Sequence, residues 1–523
     1  MTATSAPRGL NGSWEDKTKA FSVMKDIVLE RRPILREIMA KCGTLTLMDY
    51  AMKYFDVNMN PTLESRKGEL LSVVREHLAR NFDQVTTDGV IEQLRQYYVV
   101  STSDHHGPVT HSFFLNSNLI MATAGSRLPQ PIRYAIAFST SNIYMNNSSL
   151  PRGTIMHSVN AAGHLTEHRF NFFSKQSRTS VVWNYPPYVA QDVYDILDEL
   201  KKENQKGCIN DDTYAKAAAL FTEVYLEPSV VNAPTYIGQV SRSNLLLWDR
   251  YFSSSQVSSP PPQLVYLEQK AVVADLLRRH HLHESTELHE ILFNPQFSFY
   301  LRNYFYGLQG TFTDTGDRGT YLFWAFPEGD SHRHPLRLDD GKRLVTEDGS
   351  WSVDLTPEAI GQALEEHKLV PGLLLSYITL AMYYGLKCLG GFNQVNTLTQ
   401  AKNGYIKMCA DLGRYKSIEA CARVQTKEIG DGLMIAFLSS PDGQTVPAMG
   451  LDLALYGGED TWENLVKMME TTTVEESIAP QMPEIYHTST SAENRDPKLA
   501  ALTNEDIVKL LRLDKSITPC VRI

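Results

Sequence analysis

The sequence predicts a helix-rich mixed α+β fold, with a helical N-terminal region, then a mixed sheet region, then a helical C-terminal half. Three observations predict it. Apolar residues recur at helical spacing from 14 to 98, β-branched and aromatic residues alternate between Asn, Ser, Gly and Pro clusters from Val99 to about Tyr188, and helical periodicity dominates again after Thr356. At 523 residues the chain exceeds what one hydrophobic core usually supports. We therefore expect a helical domain over 1–98, a mixed α/β core over 99–355, a helix-rich region over 356–480, and a polar tail with a terminal helix over 481–523.

The first helix starts at Ser13, whose side chain can cap it, with Glu15 and Asp16 in its first turn, and carries Phe21, Met24, Ile27 and Val28. Pro33 splits the run and begins a helix bearing Ile34, Leu35, Ile38 and Met39; Thr44 to Tyr54 continues the pattern. Pro61-Thr62-Leu63-Glu64 opens another helix through Leu70, Leu71, Val74 and Leu78, and Thr87-Asp88 starts one that ends near Tyr98. Strands are expected at Ile132 to Phe138, Thr154 to Val159, Glu167 to Phe173 and Ser180 to Trp183.

Helices should follow at Ala190 to Glu203, Asp211 to Tyr225, Gly238 to Tyr251, Leu264 to His281 and Thr286 to Phe305, with Ser253 to Pro262 as an exposed loop. Strands return at Gly319 to Phe326 and Pro335 to Val353, with turns at Asp339-Asp340-Gly341 and Glu347-Asp348-Gly349. Thr356-Pro357-Glu358 combines a cap, a first-turn proline and an acid, so a helix begins there. Leu369 to Leu389 is the most apolar stretch. Its Pro371-Gly372 start and its Ser376, Thr379 and Lys387 make it a buried core helix rather than a membrane span. Helices at Val395 to Leu412 and Ile418 to Thr426, a strand at Leu433 to Leu438 and a last helix at Asn504 to Leu513 complete the chain.

The formal charge of -10, from 50 basic and 60 acidic residues, argues against nucleic-acid binding. Six scattered cysteines without a Cys-x-x-Cys pair give neither a disulfide framework nor a thiolate zinc site. The first residues have no apolar segment, so a cytoplasmic location with no membrane partner is expected.

Residues 104–111, Asp-His-His-Gly-Pro-Val-Thr-His, concentrate one carboxylate and three imidazoles directly after a β-branched run. These are ligand types for a divalent ion such as Mn, Fe or Zn, and Gly107-Pro108 favours a turn that folds His111 back. The expected metal ligands are Asp104, His106 and His111, with His105 and Asp104 catalytic. Because adjacent residues of a strand face opposite ways, His105 and His106 join one site only if the backbone turns between them.

Several segments offer anion-binding groups: Arg152 in an Asn-Asn-Ser-Ser loop, Lys175 and Arg178 past a strand, Arg242 near a helix start, and Asn393 and Lys402 around Gly390-Gly391. Together they predict a small anionic substrate. His280-His281-Leu282-His283-Glu284 fails the His-Glu-x-x-His spacing and reads as a structural helix end. The expected function is metal-dependent hydrolysis of a phosphoester-like bond or iron-dependent oxidation. The alternatives are a metal-free transferase or ligase using His as acid/base, with an anionic cosubstrate at the Gly390-Gly391 helix start, and a non-catalytic interaction protein.

The strand followed by Asp104-His105-His106 is similar to the motif of the DHH phosphoesterase family, in which these residues help hold divalent metal. The similarity is confined to this segment. The paired aspartates of that family's early strand have no counterpart in residues 1–98, and no histidine follows Gly390-Gly391.

Overall fold

The computed structural model describes residues 13–57, 61–108, 111–255, 260–308, 311, 319–328 and 330–523. Val109-Thr110 and residues 256–259 of the expected Ser/Pro loop lie outside them.

The helical N-terminal stretch forms as its caps dictate. Helix α1 (Trp14–Arg31) begins at a Ser13–Asp16 capping box, α2 (Pro33–Cys42) begins at the proline, and α3 is Leu47–Met52. Helices α4 (Pro61–Ala79) and α5 (Gln84–Gln96) follow. Asp83, rather than Thr87, caps α5 by accepting from Thr86 N at 2.7 Å, so this helix starts earlier than its periodicity indicates.

Fifteen strands follow among the described residues: β1 Val99–Ser101, β2 Tyr134–Ser139, β3 Gly153–Val159, β4 Leu165–Asn171, β5 Gln263–Glu268, β6 Phe323–Ala325, β7 His334–Asp339, β8 Arg343–Thr346, β9 Ser352–Asp354, β10 Leu369–Pro371, β11 Lys387–Gly391, β12 Ile429–Asp431, β13 Phe437–Ser439, β14 Thr445–Pro447 and β15 Val521–Arg522. Helices far outweigh them, and the fold is mixed α+β as expected. Strands β3 and β4 form a hairpin; β10-β6-β7-β8-β9 is an antiparallel sheet whose β7–β8 turn holds Asp340 and Gly341 at positive φ.

The central sheet has the order β12-β11-β1-β2-β5, with every pairing parallel. The chain steps outward from β1 through β2 to β5, then returns to lay β11 on the other side of β1 and β12 beyond it. This is the strand order of a doubly wound sheet, with its switch point between β1 and β11. The sequence carries no dinucleotide-type Gly-x-Gly-x-x-Gly fingerprint to signal this topology. The sheet also joins residues expected in the 99–355 core to residues of the 356–480 region.

Successive sheet residues feed two different cores. Val99, Ala135, Ala137, Leu264, Tyr266 and Leu389 point into one, with α1 to α3 and α6 (Ser112–Ser126). Val100, Ile136, Phe138, Val265, Leu267 and Cys388 point into the other, with α4, α5 and the helices Gln269–His280 and Gln394–Asp411. Burial on both faces turns a strand into a continuous apolar run. Two expectations change for this reason. Leu264 to His281 is strand β5 before it becomes helix, and Leu369 to Leu389 is β10, a short helix at Leu373–Tyr377 continuing as a π-turn segment, and β11. Among the described residues no helix is long and apolar enough to cross a membrane.

Candidate functional site

The carboxyl ends of the five parallel strands open onto one cavity of about 480 Å3. That volume falls within the range of small-molecule sites, roughly 300–1,000 Å3. Thr102, Ser103 and His105 come from the end of β1, Thr140 and Asn142 from β2, Gln269 and Lys270 from β5, Gly391 to Gln394 from β11, and Asp431 from β12. Phe113 and Phe114 at the start of α6, Trp324, Arg333, Tyr377 and Glu484 complete much of the wall. A crevice outside the carboxyl ends, at the switch point, is where open parallel sheets bind ligands.

His105 extends the β1–β2 pairing, bridging Thr140 through Thr140 N to Asp104 O at 2.9 Å and His106 N to Thr140 O at 2.8 Å. Its Nδ1 lies 3.0 Å from Asn147 Oδ1, which also accepts from Ser149 N at 3.1 Å. A backbone N–H can only donate, so the Asn147 oxygen faces His105 and the imidazole Nδ1 carries the proton. Nε2 is then the proton acceptor. Burial lowers the His105 pKa and keeps the ring neutral.

Asp104, His106 and His111 do not converge as the sequence suggested. Asp104 is fully buried, accepting from Asn118 Nδ2 at 3.1 Å and Ser101 Oγ at 3.4 Å. His106 donates from Nε2 to Ile237 O at 3.0 Å and its Nδ1 lies 2.6 Å from Ser139 Oγ, so both ring nitrogens are engaged. Burial pushes its pKa down to about 4. His111 caps α6, accepting from Phe113 N at 3.3 Å, and burial likewise lowers its pKa to about 4. Among the described residues no three His, Cys, Asp or Glu side chains gather to hold an ion.

Two carboxyl groups do communicate. Burial pushes Asp431 up to about 7 and Asp104 up to about 8, the latter also raised by the charge of Asp431. Asp431 accepts from Gly432 N at 2.7 Å, and Gly391 faces it because a Cβ there would stand 2.7 Å from Asp431 Oδ2.

Of the expected anion-binding residues, Asn393 lines the cavity. Arg152, Lys175, Arg178, Arg242 and Lys402 do not. Lys175 and Arg178 are exposed on the short turn Lys175–Thr179, Arg242 donates to Ser229 O, and Lys402 donates to Ala422 O and Val424 O at 2.8 and 2.6 Å. Arg152 is buried with its Nε unpartnered.

Sequence reasoning missed Lys270, Arg333 and Asp431. The Lys270 Nζ donates to Ser376 Oγ at 2.8 Å, and burial lowers its pKa. Arg333 lies between the rings of Tyr144 and Trp324, 4.4 Å from each centroid, and donates to Asn142 O at 2.9 Å. Three buried polar atoms without a partner, Asn142 Oδ1, Asn393 Oδ1 and Arg333 Nε, belong to cavity-lining residues. Such atoms call for a ligand or an ordered water.

Fold and site together define a mixed α+β protein with a ligand-sized cleft at the switch point of a parallel sheet. Comparison with family models, curated proteins and solved structures gives no match, so the likeness to the DHH phosphoesterases stays confined to the short motif.

Proposed function

We propose that the chain is an enzyme that binds a small anionic metabolite in this cavity and uses His105 as a general acid/base. The observation that carries this is the state of the His105 ring: Asn147, itself fixed by Ser149, holds the proton on Nδ1, and burial keeps the ring neutral. A neutral imidazole at a cavity wall can take a proton from a bound substrate and return it to a leaving group. The Gly391–Gln394 turn and the start of α6 bring helix N-termini to the same cavity, which favours a substrate with negative charge. This corresponds to a transferase or ligase using acid/base chemistry.

A metal-dependent hydrolase or oxidase is the second reading, favoured by the coupled carboxyls Asp104 and Asp431. Both have raised pKa values, and a nearby cation would ionise them. The experiment is untargeted: incubate the protein, and its His105→Asn variant, with a metabolite extract and follow depleted and new ions by mass spectrometry, with and without a chelator. We expect an anionic metabolite to be consumed by the parent and not by the variant. Turnover abolished by the chelator, and restored by Mn, Fe or Zn, would favour the metal reading. Consumption unchanged in His105→Asn would overturn the role given to His105.

A further inference from the structure

We propose that Arg333 and Lys270 form a preformed subsite for the carboxylate or phosphate head of the ligand, at the β5 end of the cavity. This rests on the reading of the cavity as a substrate site.

The two cations come from distant segments and both line the cavity; burial is the main cause that lowers the Lys270 pKa, the Glu268 charge opposes it, and the Arg333 charge adds to it. No carboxylate among the described residues lies within ion-pair distance of either one. The carboxylate whose charge reaches Lys270 is Glu268, whose oxygens accept from Ser141 N at 3.0 Å, Ser141 Oγ at 2.7 Å and Ala271 N at 2.6 Å.

The Glu268 charge offsets one of the two cations, and the half-buried Arg333 has no carboxylate within ion-pair distance among the described residues, so this wall keeps a net positive charge that an anion would balance. Arg333 is also pre-organised for that task. Tyr144 and Trp324 sandwich its guanidinium and one amino group is spent on Asn142 O, while its buried Nε has no partner. Lys270 uses one of its three donors on Ser376 Oγ. Gln269 and Lys270 open the helix Gln269–His280, whose dipole adds to the attraction. Arg333 and Lys270 thus present unused donors, held rigidly, to one wall of the cavity.

The subsite also sets the dimensions of the ligand. Strand β2 separates β5 from β1, so the strand ends carrying Lys270 and His105 are two strand spacings, about 10 Å, apart. A metabolite with one anionic head and a body of a few bonds, reacting at its far end beside His105, spans that distance.

The test is calorimetric titration of the full chain with inorganic phosphate, and separately with succinate, at constant ionic strength set with chloride. We expect at least one of them to bind saturably, phosphate pointing to a phosphorylated head and succinate to a carboxylate. Arg333→Met and Lys270→Met should each weaken that binding at least about tenfold, whereas Arg127→Met, at an exposed arginine, should leave it unchanged. If the buried Lys270→Met does not fold, Arg333→Gln at its half-buried position carries the test. Binding of neither anion above chloride, or binding retained without Arg333, overturns the subsite. Anion binding with no turnover of any metabolite overturns the enzymatic reading alone, and turnover lost in His105→Asn with no anion binding overturns the subsite alone.

Discussion

Two regions of this protein both gather histidine, tyrosine and carboxylate groups, and they differ in whether unpaired polar atoms border open space. In the second core, Thr286 Oγ1 lies 2.9 Å from His281 Nδ1, His281 Nε2 lies 2.8 Å from Tyr384 Oη, and Tyr384 donates to Glu69 at 2.9 Å. Nearby, Tyr405 donates to Glu287 at 2.9 Å, Ser417 also reaches Glu287, and Arg66 stacks on Tyr383. At the carboxyl edge of the sheet, by contrast, Asn142, Asn393 and Arg333 each keep a buried atom unpaired around a cavity, and Arg333 has no carboxylate within ion-pair distance among the described residues. Residue type alone does not distinguish a site from a structural network. Unspent hydrogen-bonding capacity beside open space does.

The sharpest way to break this comparison is to exchange the two histidines' fates. His105→Asn should lower turnover by roughly 10²–10⁴-fold, the usual weight of general acid/base catalysis, and leave the denaturation midpoint nearly unchanged. His281→Asn should do the reverse. Measuring turnover and urea denaturation on both variants decides it; loss of activity in His281→Asn with normal stability would place the chemistry in the wrong region.

The paired network makes a second, smaller prediction through pH. Burial holds His281 down to about 3, against an ordinary imidazole value near 6.5. The folded state therefore favours the neutral ring, and between those two values the unfolded chain binds the extra proton. Stability from this residue is fully present above about pH 6.5 and is lost progressively as pH falls toward 3, with a slope of up to about 1.4 kcal/mol per pH unit. Denaturation curves at pH 7, 6 and 5 should show a shallower decline in His281→Asn than in the parent. Tyr384→Phe, which removes one link at constant ring size, should cost about 1–3 kcal/mol and leave anion binding intact.

The same contrast explains what the sequence could convey. The α1 to α5 stretch is legible because its helices carry one apolar stripe each and local start signals at Ser13 and Pro33, although Thr87-Asp88 hides the Asp83 cap of α5. The central sheet is largely illegible. Leu264-Val265-Tyr266-Leu267 faces two cores at once and shows no alternation, while β12 is only Ile429–Asp431. His105 was visible because Asp104 to His111 is locally dense, but a metal-ligand pattern does not reveal that His106 spends both nitrogens on Ser139 and Ile237. Lys270, Arg333 and Asp431 meet only through the fold. Arg333 lies between His332 and His334, which both bond Asp330, and nothing in that local pattern marks the arginine as lining a cavity built by other segments.

The smallest expected effect concerns Lys402, which the sequence placed beside the ligand because it follows the Gly390-Gly391 turn. In the structure its Nζ instead donates to Ala422 O and Val424 O, at the end of the helix Tyr415–Ala422, where cations satisfy terminal carbonyls. Lys402→Met keeps the length and apolar stem of the side chain and removes only these bonds. It should cost about 0.5–1.5 kcal/mol in urea denaturation and leave the affinity for phosphate or succinate unchanged. A weakened anion titration in this variant, with stability unaltered, would mean that the ligand reaches along the helix Gln394–Asp411 as far as Lys402, and that a lysine already engaged with two carbonyls nevertheless turns to bind it.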